Sequence, residues 1–198
     1  MGIFVNRGNQ SYLNAINSRI YVDKTGLLEY TNRVISTEQR NICVSRPRRF
    51  GKSMTAGMIA AYYDKSCDSR ELFSPYRISK SVSYEKYLNQ YTVIHLDITM
   101  FTTQEKGSSV ADCINEQVTD ELREIYPDIL SSEKHNLPYA LAEINDRTGE
   151  RFVIIIDEWD AIFRESRYDV DAQKEYVDLL RGLFKSEMSI RFVALAYL

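Results

Sequence analysis

Gly51-Lys52-Ser53 is a triplet whose members can all act on one phosphate group. It follows a short apolar run (Ile42, Cys43, Val44) and a loop carrying Arg46, Pro47, Arg48, Arg49 and Phe50. It opens the helical pattern Met54-Thr-Ala-Gly-Met-Ile-Ala-Ala-Tyr62. Strand, tight loop, Gly-Lys-Ser and helix is the order of a phosphate-binding loop. Backbone N–H groups converge on an anion at the helix N-terminus, the lysine reaches the terminal phosphates, and the serine hydroxyl takes a magnesium ion. The full pattern places glycine six positions before the lysine, where this chain has Arg46. A Gly-Lys-Ser/Thr triplet arises by chance in roughly one chain in ten of this length. Alone it reads equally well as a glycine in a surface turn before an ordinary helix.

Chemistry at a phosphate also needs carboxylates, one to hold magnesium and one to work on water. Phe152-Val-Ile-Ile-Ile156 is a continuous apolar run, mostly β-branched, and fits a central strand covered on both faces. It ends at Asp157-Glu-Trp-Asp160. Asp157 sits at the strand tip in the position of a metal ligand. Glu158, on the other side of an extended backbone, can serve as general base toward water. Two solvated acids in a strand-end turn are the plain alternative, and the upstream triplet is what argues against it. Asp97 closes the pattern Tyr91–Ile98 and reads either as a metal-side acid or as the cap of the next turn. Asp160 reads as structural, orienting its loop, and Trp159 as packing. His95 alternates within a strand pattern and reads as a core histidine. His135 lies in a polar loop and carries no signal.

The chain has 198 residues, 44% hydrophobic and 27% charged, which suits one globular α/β domain. Its net charge of −3 gives no general case for nucleic acid or a membrane surface. Locally, Arg46, Arg48, Arg49 and Lys52 favour a small anionic ligand, with a solvated basic loop as the alternative. Cys43, Cys67 and Cys113 are widely spaced, which argues against a disulfide framework or a structural zinc site. They read as reduced thiols of a cytoplasmic protein. No run approaches the ~18 apolar residues of a membrane span. Met1-Gly-Ile-Phe-Val-Asn6 lacks the regions of a signal peptide, and Asn6 stands where a myristoylation pattern needs Ser or Thr.

The elements that must position these residues follow from periodicity. Residues 1–40 form a helical lead-in: Tyr12, Leu13, Ile16 and Ile20 mark one short helix. A second follows Tyr21-Val-Asp-Lys-Thr25, with Asp23 or Thr25 as its cap. Short helical pieces are predicted at 71–73 and 84–88, and a strand over 91–98. Helices follow over 108–126, stopping before Pro127, and around 138–144. Asp146–Gly149 is predicted as a turn. A helix face runs through Tyr176, Leu179, Leu180, Leu183 and Phe184, and a closing strand over 190–198. Strands alternating with helices predict a parallel sheet joined by right-handed crossovers, with ligands at the carboxyl ends of the strands.

Four stretches together resemble one family: Tyr21-Val-Asp-Lys-Thr25, Ser45-Arg-Pro-Arg-Arg-Phe-Gly-Lys-Ser53, Val93-Ile-His-Leu-Asp97 and Ile155-Ile-Asp-Glu-Trp-Asp160. The chain is similar throughout to the AAA-ATPase-like family of bacterial proteins, whose members often carry a PD-(D/E)XK nuclease-like domain at the C-terminus. In that family the loop has this arginine-rich form, which accounts for Arg46. The resemblance implies a three-layer α/β P-loop NTPase sandwich of the additional-strand class, with a mostly parallel sheet and the cofactors ATP and Mg2+. It implies that Lys52 is the nucleotide lysine, Ser53 and Asp157 the magnesium ligands, and Glu158 with Lys52 the catalytic pair. Arg46, Pro47, Arg48, Arg49, Phe50, Gly51, Lys52, Ser53 and Met54 would surround the nucleotide. The implied sheet order puts the 91–98 strand at the edge, then 152–157, 190–198 and 41–45.

Leu198 ends an apolar strand, so a fragment truncated before a fifth strand, a lid and any nuclease-like effector domain is the expectation. The expected function is Mg-dependent ATP hydrolysis that drives or regulates such a domain. A nucleotide-gated regulatory module with little or no hydrolysis is the alternative. Adenine contacts are expected from residues before the loop, such as Tyr21.

Overall fold

Apolar runs without period become strands, and runs with a period near 3.6 become helices. The computed structural model describes residues 2–45, 50–102, 108–130, 136–165 and 169–198. The lead-in holds α1 (Gln10–Ile16) and α2 (Gly26–Val34), followed by β1 (Asn41–Ile42) and α3 (Lys52–Tyr63). Next come α4 (Arg70–Phe73), a 3-10 turn (Arg77–Lys80), α5 (Tyr84–Tyr87), β2 (Thr92–Asp97), α6 (Thr99–Thr102) and α7 (Val110–Ile125). The remainder is α8 (Leu137–Thr148), β3 (Phe152–Asp157), α9 (Ala161–Glu165), α10 (Val170–Phe184), α11 (Ser189–Phe192) and β4 (Val193–Tyr197).

The four strands form one parallel sheet in the order β1-β4-β3-β2, the order expected from the sequence. Between β1 and β4, Asn41 stands opposite Ala196 and Ile42 opposite Tyr197. The pairing continues past β1, because Val44 N–H donates to the Leu198 carbonyl at 2.8 Å. At the other edge, Val5 bridges Ile94 antiparallel. Asn6 N–H donates to Val93 O at 2.8 Å, and His95 N–H to Phe4 O at 2.8 Å.

The chain divides into two compact units. The first holds Met1–His95, Phe152–Asp157 and Ala194–Leu198. In it α3 packs on β3 and against α1. Every residue of α3 from Thr55 to Tyr63 is buried, so this helix is covered nearly all round rather than along one stripe. Tyr12, Tyr62, Tyr63 and Phe73 fill the centre together with Val153 and Ile155 of β3. Their polar ends are satisfied: Tyr63 donates to Asn32 Oδ1 at 2.8 Å, and Tyr62 donates to the Tyr84 carbonyl at 3.0 Å.

The second unit holds Leu96–Arg151 and Glu158–Val193. There α7, α8, α10 and α11 pack on one another, burying Ile114, Val118, Leu122, Leu141, Tyr176 and Leu183.

Element ends depart from expectation at two places. The closing strand starts at Val193, because Ser189–Phe192 is helical. The Ser186 hydroxyl accepts from Ser189 N–H at 3.1 Å, and Arg151 Nη2 donates to the Ile190 and Val193 carbonyls at 3.0 and 2.7 Å. The predicted turn over Asp146–Gly149 contracts to Gly149 alone. Helix α8 continues through Thr148 and ends on Gly149 in the left-handed region, with φ 73°.

Candidate functional site

Gly51 is the N-cap of α3 and has φ 74°, a conformation that glycine adopts without steric cost. This turn swings the chain from the loop into a twelve-residue helix whose first residues are Lys52 and Ser53. Among the described residues no side chain caps that end, so the N–H groups of the first turn and the helix dipole both favour an anion there. The Thr55 hydroxyl donates back to Gly51 O at 2.9 Å and ties the turn to the helix.

A cavity of about 300 Å³ lies beside this turn. Leu27, Val44, Phe50 and Tyr197 line it with apolar side chains, and Thr55, Lys24 and Lys52 with polar ones. Among the described residues, both charged groups lining it are cations. A largely apolar slot lined by two lysines suits a ligand with a flat ring and an anionic tail. Phe50 is 58% exposed and free to meet such a ring.

Tyr21, the expected adenine contact, does not line this cavity. Its hydroxyl is 3.0 Å from that of Tyr12, and its ring packs against Tyr12 and Tyr76. The lead-in residues that do line the cavity are Lys24 and Leu27. Lys24 carries no chemical signal in the sequence beyond its place in the Tyr21–Thr25 motif. Met54 lies with Tyr12, Tyr21 and Met58 around a smaller apolar depression. Arg46, Pro47, Arg48 and Arg49 lie outside the described residues.

Asp157, buried at the carboxyl end of β3, belongs to the same unit as the loop, and β3 packs on α3. Glu158 belongs to the second unit and departs from the extended backbone expected of it. Its φ of 50° is left-handed, uncommon for a residue with a long side chain. The chain turns there at once, with Ala161 N–H bonded to Glu158 O at 2.8 Å as α9 begins. The Glu158 carboxylate accepts from Arg164 Nη2 at 2.5 Å. Arg164 Nη1 reaches both oxygens of Asp160 at 3.1 and 3.2 Å. One guanidinium therefore joins both acids, and Asp160 has the orienting part expected of it. Trp159 packs edge-on to Phe163, and its carbonyl accepts from the Tyr176 hydroxyl at 3.0 Å. Asp97 caps the following turn, its Oδ1 accepting from Thr99 N–H at 3.0 Å and from the Thr99 hydroxyl at 2.6 Å.

Among the described residues, no group of three or more His, Cys, Asp or Glu side chains is placed to hold a metal. Ser53 and Asp157 offer one hydroxyl and one carboxylate. That oxygen set fits Mg2+, which keeps several waters and takes further ligands from substrate phosphates. No helix among the described residues is long and apolar enough to cross a membrane.

No match was found among curated proteins or among solved structures. The family model described as "Predicted AAA-ATPase" matches residues 8–195, a span holding the loop, Asp157-Glu158 and every cavity-lining residue but Tyr197. The chain belongs to the AAA-ATPase-like family.

Proposed function

We propose that this protein binds ATP at the N-terminus of α3 and hydrolyses it with Mg2+, using the cycle to drive or regulate an effector domain. The observation that carries the reading is the uncapped, glycine-turned start of α3 beside a cavity with two lysines, in a chain of a nucleotide-binding family. The Lys52 and Ser53 N–H groups cradle the phosphates, and the Lys52 ammonium neutralises their charge. Ser53 and Asp157 would hold Mg2+, which supplies Lewis-acid stabilisation of charge on the phosphate oxygens. Phe50, Leu27 and Val44 take the base, and Glu158 accepts a proton from the attacking water. The setting is cytoplasmic, with reduced thiols. A nuclease-like domain is the effector the resemblance suggests, and the net charge lends no support to nucleic acid as a ligand of this part.

A second reading, a nucleotide-gated module with little turnover, draws on the ion pair of Glu158 with Arg164. A carboxylate engaged by a guanidinium is a weak base until it is released. Phosphate release and fluorescent-nucleotide binding separate the readings. Lys52→Ala is expected to abolish binding. Glu158→Gln is expected to keep binding and slow release by about 10² to 10⁴-fold, the range for a lost general base. Unchanged affinity in Lys52→Ala defeats the site assignment, and wild-type binding without turnover favours the gated module.

A further inference from the structure

We propose that Lys24 is a second phosphate-binding lysine of this site, contacting the polyphosphate of the nucleotide alongside Lys52. The inference rests on the nucleotide reading above and names a residue that reading does not require.

Three observations carry it. The Lys24 ammonium donates to the Phe50 carbonyl at 3.0 Å, one residue before the glycine turn. Its Nζ lies 2.7 Å from where a Cβ on Gly51 would stand, so the cation rests directly against the backbone at the start of α3. It also lines the same cavity as Lys52. An ammonium has three donors. The Phe50 carbonyl takes one, and a phosphate at this helix end is a stronger, charge-assisted acceptor for the others.

The flanking residues show how a flexible lysine comes to be aimed. Asp23 Oδ1 accepts from Thr25 N–H at 2.8 Å, and its Oδ2 accepts from Arg77 N–H at 3.1 Å. Burial alone would raise the Asp23 pKa, but these hydrogen bonds outweigh it and hold the carboxylate below its ordinary range. Thr25 is fully buried, and its hydroxyl accepts from Ile78 N–H at 3.2 Å. Both neighbours of Lys24 are thus fastened to the 3-10 turn at Arg77–Lys80. Fixing the backbone on either side lowers the entropy lost when the side chain meets a ligand. The Tyr21–Thr25 motif gains a purpose: Asp23 and Thr25 hold one cation over the loop.

The test is ATP affinity by calorimetry for wild type, Lys24→Met, Lys24→Arg and Lys52→Ala, with the melting temperature of each ligand-free protein. Expected is a loss of tenfold or more in Lys24→Met, recovery to within about threefold in Lys24→Arg, and melting temperatures near wild type. A tenfold loss corresponds to about 1.4 kcal/mol, the scale of one charge-assisted contact. Wild-type affinity in Lys24→Met overturns the proposal while leaving the nucleotide reading intact. Affinity lost together with a marked fall in melting temperature, without rescue by arginine, also overturns it and leaves Lys24 a loop fastener. If the wild type binds no ATP, the nucleotide reading fails and takes this proposal with it.

Discussion

Gly51 meets two demands at once. Its φ of 74° disfavours any side chain, and the Lys24 ammonium lies 2.7 Å from where a Cβ would stand. Alanine there must strain the backbone and push Lys24 off the Phe50 carbonyl. We expect Gly51→Ala to cost about 1–2 kcal/mol in urea unfolding, from the left-handed penalty alone, and to weaken nucleotide binding as well. At this scale the sequence was legible wherever a residue type is obligatory for its chemistry. Gly51, Lys52 and Ser53 stand at the glycine-turned start of α3 that their pattern predicts, and Asp157 is marked by the apolar run it ends. Lys24 was illegible, because a charged residue in a turn has no period and its importance lies in a carbonyl 26 residues away. The left-handed backbone of Glu158 was hidden for another reason: a strand pattern predicts that extension continues, and nothing in the sequence marks the residue at which it stops.

Among the elements, helices with a clear stripe were legible to within a few residues, as in α7 and α10, and so were the strands of continuous apolar character. Short pieces were missed: α6 and α9 have too few residues for a period to declare itself. The start of β4 was masked because Ile190–Leu198 is apolar apart from Arg191, and the boundary is set by Ser186 and Arg151 from outside the run. Three helix starts carry side-chain caps not expected from the sequence, whereas α2, expected to be capped by Asp23 or Thr25, has Thr25 at its N-cap with no side-chain cap hydrogen bond. Ser109, Asn136 and Asp169 each accept from the N–H three residues on. Asn136 is exposed, and its Oδ1 accepts from Tyr139 N–H at 3.0 Å. Asn136→Ala should cost about 1 kcal/mol by chemical denaturation, with Asn136→Asp near wild type. Equal stability of all three would mean that the cap contributes nothing to α8.

Across the whole molecule the alternation of strands and helices was enough to predict a parallel sheet, and the family resemblance supplied its strand order. The division into two units was not legible, because each is assembled from separated stretches with no linker to mark them. The fourteen tyrosines give the chain a distinctive alkaline behaviour. Burial pushes the hydroxyls of Tyr12, Tyr62, Tyr63 and Tyr176 well above their ordinary pKa. The unfolded chain sheds those protons near pH 10 while the native state keeps them. The stability they confer is therefore complete below pH 10 and falls above it. The loss is about 1.4 kcal/mol per tyrosine per pH unit, or roughly 5 for the four. Base titration should show a steep absorbance step at 295 nm that coincides with loss of circular dichroism. Smooth ionisation of all fourteen near pH 10 in a folded chain would contradict this. The antiparallel pairing of residues 4–6 on β2 matters in a different way. A bare strand edge is a template for the strands of other molecules, and here the chain's own beginning occupies it. Cutting those residues away, or displacing them with a fused tag, would leave the glycine turn at α3 in place and turn the edge of the sheet into a nucleus for aggregation.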